Sequence, residues 1–132
     1  DEIAIFTMGT VLAESYQAAQ MLQRKGISTA LYNVPSIRPL HREEILNAVS
    51  GKKAIVTVEE HSIHGGIGSM LAAVLMEAGI CIPLSRIGIP EGIFVKAGPR
   101  DEIRKYYGIE AASIVHTTEH LLHNHKIHTV RS

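Results

Sequence analysis

The segment Glu59-Glu60-His61-Ser62-Ile63-His64-Gly65-Gly66-Ile67-Gly68 brings two carboxylates, two imidazoles and three glycines together within ten residues. A carboxylate beside an imidazole can move protons, and a glycine-rich turn can bring backbone N–H groups close to a phosphate or carboxylate. Glu59, Glu60, His61, His64, Gly65, Gly66 and Gly68 are therefore the candidate site residues. The match to phosphate loops is poor. In Gly66-Ile67-Gly68-Ser69-Met70-Leu71, Leu71 stands where a dinucleotide fingerprint needs a third small residue, and no Lys follows to make a nucleotide-triphosphate loop. The preferred reading is structural: the glycines let the chain turn and pack closely, and Glu60 and His61 hydrogen-bond within a subunit contact. A small-anion loop stays open as the alternative.

The tail holds five of the eight histidines: His116, His120, His123, His125 and His128. On a helix His116, His120 and His123 share a face at metal-compatible spacing, and His116-Thr117-Thr118-Glu119-His120 spells H-x-x-E-H. A metalloprotease of that type also needs a distal acidic ligand, and no Asp or Glu follows Glu119. The face is read as a solvated polar stripe, with Ile114, Val115, Leu121 and Leu122 packing inward, and no metal ligand is assigned. Cys81, between Ile80 and Ile82, is expected in the core at the start of a strand. No serine sits in a G-x-S-x-G elbow, so no catalytic residue is assigned.

These residues need a scaffold, and 132 residues suffice for one domain, expected to span the whole chain with 116–132 as a His-rich C-terminal helix or tail. One cysteine excludes a disulfide framework and fits a reducing cytoplasm. Thirteen basic residues balance thirteen acidic ones, and the aromatics are scattered, which argues against nucleic-acid and anionic-membrane partners. The longest apolar run, Met70 to Met76, is far short of a membrane span, and Asp1-Glu2 offers no basic leader. Without a starting Met, the chain is expected to be part of something longer.

Runs rich in β-branched residues predict strands at Ile3–Thr7, Ser28–Val34, Ala54–Glu59 and Ile82–Ile89. Helical spacing predicts a first helix after an N-cap at Thr10, carrying Leu12, Ser15, Ala19 and Leu22 and ending at Gly26. Further helices are predicted from Pro39 to Val49, from Gly68 or Ser69 to Gly79, from Pro99 to before Gly108, and from Glu110 to Leu122, with Pro90–Pro99 a surface loop. Alternating strands and helices imply an α/β fold: a three-layer α/β/α sandwich on a mainly parallel sheet of four to five strands.

The segment Thr57 to Ser69 closely resembles the C-terminal domain of transketolases. Ile5-Phe6-Thr7-Met8-Gly9-Thr10-Val11 is similar to that domain's first strand and turn, Asn33 to Leu40 to its second strand and loop, and Arg86-Ile87-Gly88-Ile89-Pro90 to its fourth strand. With Tyr106-Tyr107-Gly108-Ile109, the resemblance spans residues 1 to about 115 in order. The strand that usually precedes the first parallel one in that family is expected to be missing before Asp1, and the tail has no family pattern.

The resemblance implies an enzyme that uses thiamine diphosphate and magnesium to move two-carbon ketol units between sugar phosphates, within carbohydrate metabolism. In that family the diphosphate and metal are gripped by Gly-Asp-Gly and Asn-Asn elements of the first domain, and the pyrimidine is activated by a Glu of the second. This chain has neither Gly-Asp nor Asn-Asn, and its only aspartates are Asp1 and Asp101. It is therefore expected to bind no cofactor alone and to be inactive alone. Its role would be to support a homodimer and the amino-terminal and pyrimidine-binding domains, on the same or a separate chain. Glu60-His61-Ser62-Ile63 favours the transketolase branch over 2-oxo acid dehydrogenases, and more weakly over deoxyxylulose phosphate synthase. A free-standing small-anion-binding or regulatory domain of the same fold is the other class.

Overall fold

Residues 2–34, 41–62, 66–89 and 109–131 are described in the structure, a computed structural model. The β-branched runs form four strands: β1 (Ile3–Met8), β2 (Thr29–Val34), β3 (Ala54–Ser62) and β4 (Leu84–Ile89). They make one sheet in the order β2-β1-β3-β4, with every pairing parallel. The helices are α1 (Leu12–Arg24), α2 (Arg42–Val49), α3 (Ile67–Glu77) and α4 (Ala111–Arg131).

Alternation along the strands decides which helices cover which face. Ile3, Ile5, Val56, Val58 and Ile87 pack with Ala18 and Leu22 of α1 and Ile114, Val115 and Leu122 of α4. Ala4, Phe6 and Ile55 pack with Ile45 and Val49 of α2 and Ile67, Leu71 and Leu75 of α3. The result is the expected three-layer sandwich. Each fully buried Ile or Leu contributes about 1.5–3 kcal/mol relative to exposure, which is why this double-sided core can hold a domain without a cross-link.

Gly26 and Gly79 end α1 and α3 as the sequence indicates, at φ +83 and +71. Behind each, the next amide reaches back to the helix: Ile27 N–H to Leu22 C=O at 2.9 Å and Ile80 N–H to Leu75 C=O at 2.9 Å.

Several expectations are corrected. Thr10 is not an N-cap: Gly9–Val11 form a 3-10 turn, α1 starts at Leu12, and the Thr10 hydroxyl bonds elsewhere. Leu12, on that first turn, is partly exposed. α3 begins at Ile67, ahead of Gly68. Cys81 is exposed, because β4 starts only at Leu84 and residues 80–83 form a link without regular structure, whose Pro83 C=O accepts the Ile55 N–H. α4 runs to Arg131 instead of stopping at Leu122. The loop at 35–40, the start of the second helix at Pro39, the loop Pro90–Pro99 and the helix from Pro99 lie outside the described residues. No helix among the described residues is long and apolar enough to cross a membrane.

Candidate functional site

The strand order reverses between β1 and β3: from β1 the chain goes to β2 on one side and later to β3 and β4 on the other. Ligands of open α/β sheets collect beyond the carboxyl ends of strands at such a point. Here the pairing of β1 with β3 ends at Met8 and Glu59, which stand opposite one another in the register. The Glu59 to Gly68 segment therefore starts at the position where such a sheet would take a ligand.

A bulge shapes this start. Val58 pairs with Ile87 and Ser62 with Ile89, so β3 advances four residues while β4 advances two. The extra residues fall at Glu59-Glu60-His61, and a bulge of this kind re-aims side chains and sharpens local twist.

Glu59 shares the α3 side of the sheet with Ile55 and Thr57 and is 0 % exposed. Its Oε1 accepts the Ile67 N–H at 2.9 Å and its Oε2 the Gly68 N–H at 3.3 Å. A helix start leaves its first amides without intrahelical partners and carries partial positive charge, so a carboxylate there is stabilising twice over. The side chain of Glu59 thus does internally what a bound anion would do.

The two glycines follow from that contact. A Cβ on Gly66 would lie 2.7 Å from Glu59 Cδ, and one on Gly68 would lie 2.6 Å from Arg86 Cγ and 2.8 Å from Thr57 Oγ1. Arg86, opposite Thr57 on β4, places Nη1 3.3 Å from Ser69 Oγ and so lies along the first turn of α3. Thr57 Oγ1 is buried and has no hydrogen-bond partner among the described residues.

Across the reversal point, Thr10 Oγ1 donates to Glu60 Oε2 and links the turn after β1 to the bulge of β3. Below it, Ser15 Oγ lies 3.0 Å from Thr7 Oγ1 and donates to Val11 C=O at 2.9 Å, anchoring α1 to the end of β1.

Of the seven candidates, Glu59, Gly66 and Gly68 meet at one point, and Glu60 points to the neighbouring turn. His61 lies on β3, and His64 and Gly65 lie outside the described residues. Thr10, Thr57, Ser69 and Arg86 belong to the same assembly and are not among the seven sequence candidates, although Thr10 is expected as an N-cap in the turn after the first strand. For Thr57 a signal existed, since period-two spacing puts it on the face of Glu59.

The described residues do not fit a diphosphate and its magnesium. Glu59, the one buried acidic residue among them, already holds two amides, and no group of three or more His, Cys, Asp or Glu among them could hold a metal.

The chain also matches known proteins. Residues 1–114 match the family model described as transketolase, C-terminal domain. An apulose-4-phosphate transketolase subunit of Actinobacillus succinogenes is 46 % identical over 114 residues, which cover 86 % of this chain and 37 % of that protein. A putative transketolase C-terminal section of Methanocaldococcus jannaschii is 36 % identical over 114 residues, covering 86 % of this chain and 35 % of that protein. 1-Deoxy-D-xylulose-5-phosphate synthase 1 of Geobacter sulfurreducens is 37 % identical over 123 residues, covering 92 % of this chain but 19 % of that protein. Among solved structures, one described as a split gene transketolase, inactive beta4 tetramer, superposes with a TM-score of 0.81 at 30 % identity, covering 92 % of this chain and 39 % of that one. The chain spans less than two-fifths of each of these relatives. With its four parallel strands and the matched segment running through the Glu59 to Gly68 junction, the chain belongs to the transketolase C-terminal domain family.

Proposed function

We propose that this chain is the supporting C-terminal domain of a transketolase that moves two-carbon ketol units between sugar phosphates. Thiamine diphosphate and magnesium would be held by amino-terminal and pyrimidine-binding domains on the same or a separate chain. The Glu59 to Gly68 segment serves as a contact surface for those domains or for a second copy in a homodimer. The observation that carries this reading is the buried Glu59 carboxylate on the Ile67 and Gly68 amides. It fills the helix start that an anion-binding domain would keep open, which favours the contact role over the small-anion alternative. Thr10 and Glu60 add a clasp across the same edge.

A separate partner chain is supported by relatives described as one subunit of a transketolase and as a split-gene product. No chemical step is assigned to this domain, which acts by holding neighbouring domains in place, the protein's usual share in cofactor chemistry. The test is reconstitution. The domains carrying the diphosphate and pyrimidine sites, produced separately, should gain ketol transfer on mixing with the chain carrying this domain, and each part should be inactive alone. Micromolar binding of thiamine diphosphate and magnesium by this chain alone, measured by calorimetry, would overturn the supporting role.

A further inference from the structure

α4 presents His116 and His120 on consecutive turns of the face opposite its packed side. Ile114, Val115, Thr118 and Leu122 of the same helix are buried, while both histidines are exposed. The two rings lie near parallel, 18° apart in plane with centroids separated by 6.5 Å. Residues four apart on a helix are neighbours, so this closeness is built into the backbone and needs no loop to order. Glu119, between them in sequence, is held by Lys25 Nζ at 2.9 Å, which leaves the face to imidazole.

The protonation pattern suits ligation. His120 Nε2 lies 3.0 Å from Asn124 Nδ2, and an amide NH2 only donates, so with the amide placed this way Nε2 is the acceptor and Nδ1 carries the proton. That lone pair is directed at Asn124, an exposed side chain whose amide a bound cation would displace. Zn–N bonds are about 2.0–2.1 Å long, so a tetrahedral ion needs its two nitrogens roughly 3.3 Å apart. Rotations within two solvent-facing side chains can bring the rings to that spacing.

We propose that His116 and His120 form a two-imidazole site for a borderline divalent cation of the zinc, copper or nickel class, with water completing the coordination. Imidazole donors favour these ions over magnesium or calcium, which take oxygen. The site is open, and its affinity comes from chelation: once one imidazole binds, the second is already at high local concentration. Loss of either histidine should therefore weaken binding by about a hundredfold.

Calorimetric titration of the intact protein with zinc chloride tests this. His116→Ala and His120→Ala should each lose about two orders of magnitude in affinity, whereas His123→Ala and the double variant His125→Ala/His128→Ala should bind as the parent does. His116→Gln and His120→Gln, which keep helix propensity, serve if an alanine variant fails to fold. With cupric ion, electron paramagnetic resonance should show two nitrogen ligands in the parent and one in each single variant. Unchanged affinity in both single variants would overturn the proposal, as would loss of binding in the His123 or His125/His128 variants.

Discussion

Gly66 offers Glu59 a bare Cα: a Cβ there would stand 2.7 Å from both Cδ and Oε2 of the carboxylate that holds the start of α3. Glycine and glutamate are a matched pair, since the carboxylate can reach the Ile67 and Gly68 amides only where no side chain intervenes.

Gly66→Ala should therefore destabilise the protein by about 2–3 kcal/mol, through displacement of a buried carboxylate from its amide partners. Glu59→Ala should cost a similar amount, since it leaves buried helix amides unpaired. The double variant is the diagnostic: once the carboxylate is gone, the new Cβ has room, so the two costs should combine to much less than their sum. Urea unfolding with an unchanged m-value measures all three, and strict additivity would show that the two residues act separately.

This relationship shows what the sequence could and could not reveal. β-branched runs marked all four strands, and Gly26 and Gly79 marked helix ends because a left-handed turn there has few alternatives. The Glu59 to Gly68 cluster was also visible by composition. Its internal geometry was not, because a bulge depends on how β3 pairs with β4, a non-local fact that no spacing within β3 records. Cys81 departs from its expected core position for a related reason: Ile80 and Ile82 read as strand, but Pro83 stands just before β4 and the link preceding it runs outside the sheet. α4 continues past Leu122 because no Gly or Pro follows Gly108 to stop a helix.

The Thr57 hydroxyl is buried without a hydrogen-bond partner among the described residues, 2.8 Å from where a Cβ on Gly68 would sit. Valine has nearly the same shape and no polar atom to satisfy. Thr57→Val should stabilise the protein by about 1 kcal/mol, seen as a higher urea midpoint. Destabilisation instead would mean that the hydroxyl has a partner in solution.

α4 is held by its inner face rather than by its surface charges. The Lys25–Glu119 pair spans 2.9 Å, but its side chains are 50 % and 41 % exposed, so Glu119→Ala should cost less than about 1 kcal/mol. Leu122→Ala, which empties a place in the core shared with α1, should cost about 2–4 kcal/mol. Removing every residue after Asn124 should cost no more than about 0.5 kcal/mol, because the buried residues of α4 all precede that point among those described. A melting temperature lowered by many degrees in that truncation would show that the tail is packed against the domain.

The last expectation separates stability from assembly at the carboxyl edge. Thr10 and Glu60 are joined by a hydrogen bond near the surface, so Thr10→Ala and Glu60→Ala should each change folding stability by less than about 1 kcal/mol. If the edge is a contact surface, Glu60 matters chiefly where a neighbouring domain or chain meets it. Glu60→Arg reverses a charge at that position and removes the acceptor for the Thr10 hydroxyl, while leaving the buried Glu59 cap in place. The variant should therefore fold with a near-normal urea midpoint yet weaken association between the chain carrying this domain and its partner domains. Truncating one member of a buried charged contact costs roughly 2–5 kcal/mol of binding, and a reversal should cost at least that. Sedimentation of the assembled enzyme beside urea unfolding of the same variant reads both quantities. A Glu60→Arg protein that assembles normally would remove Glu60 from the contact, and one that fails to fold would show that the clasp to Thr10 supports the domain itself.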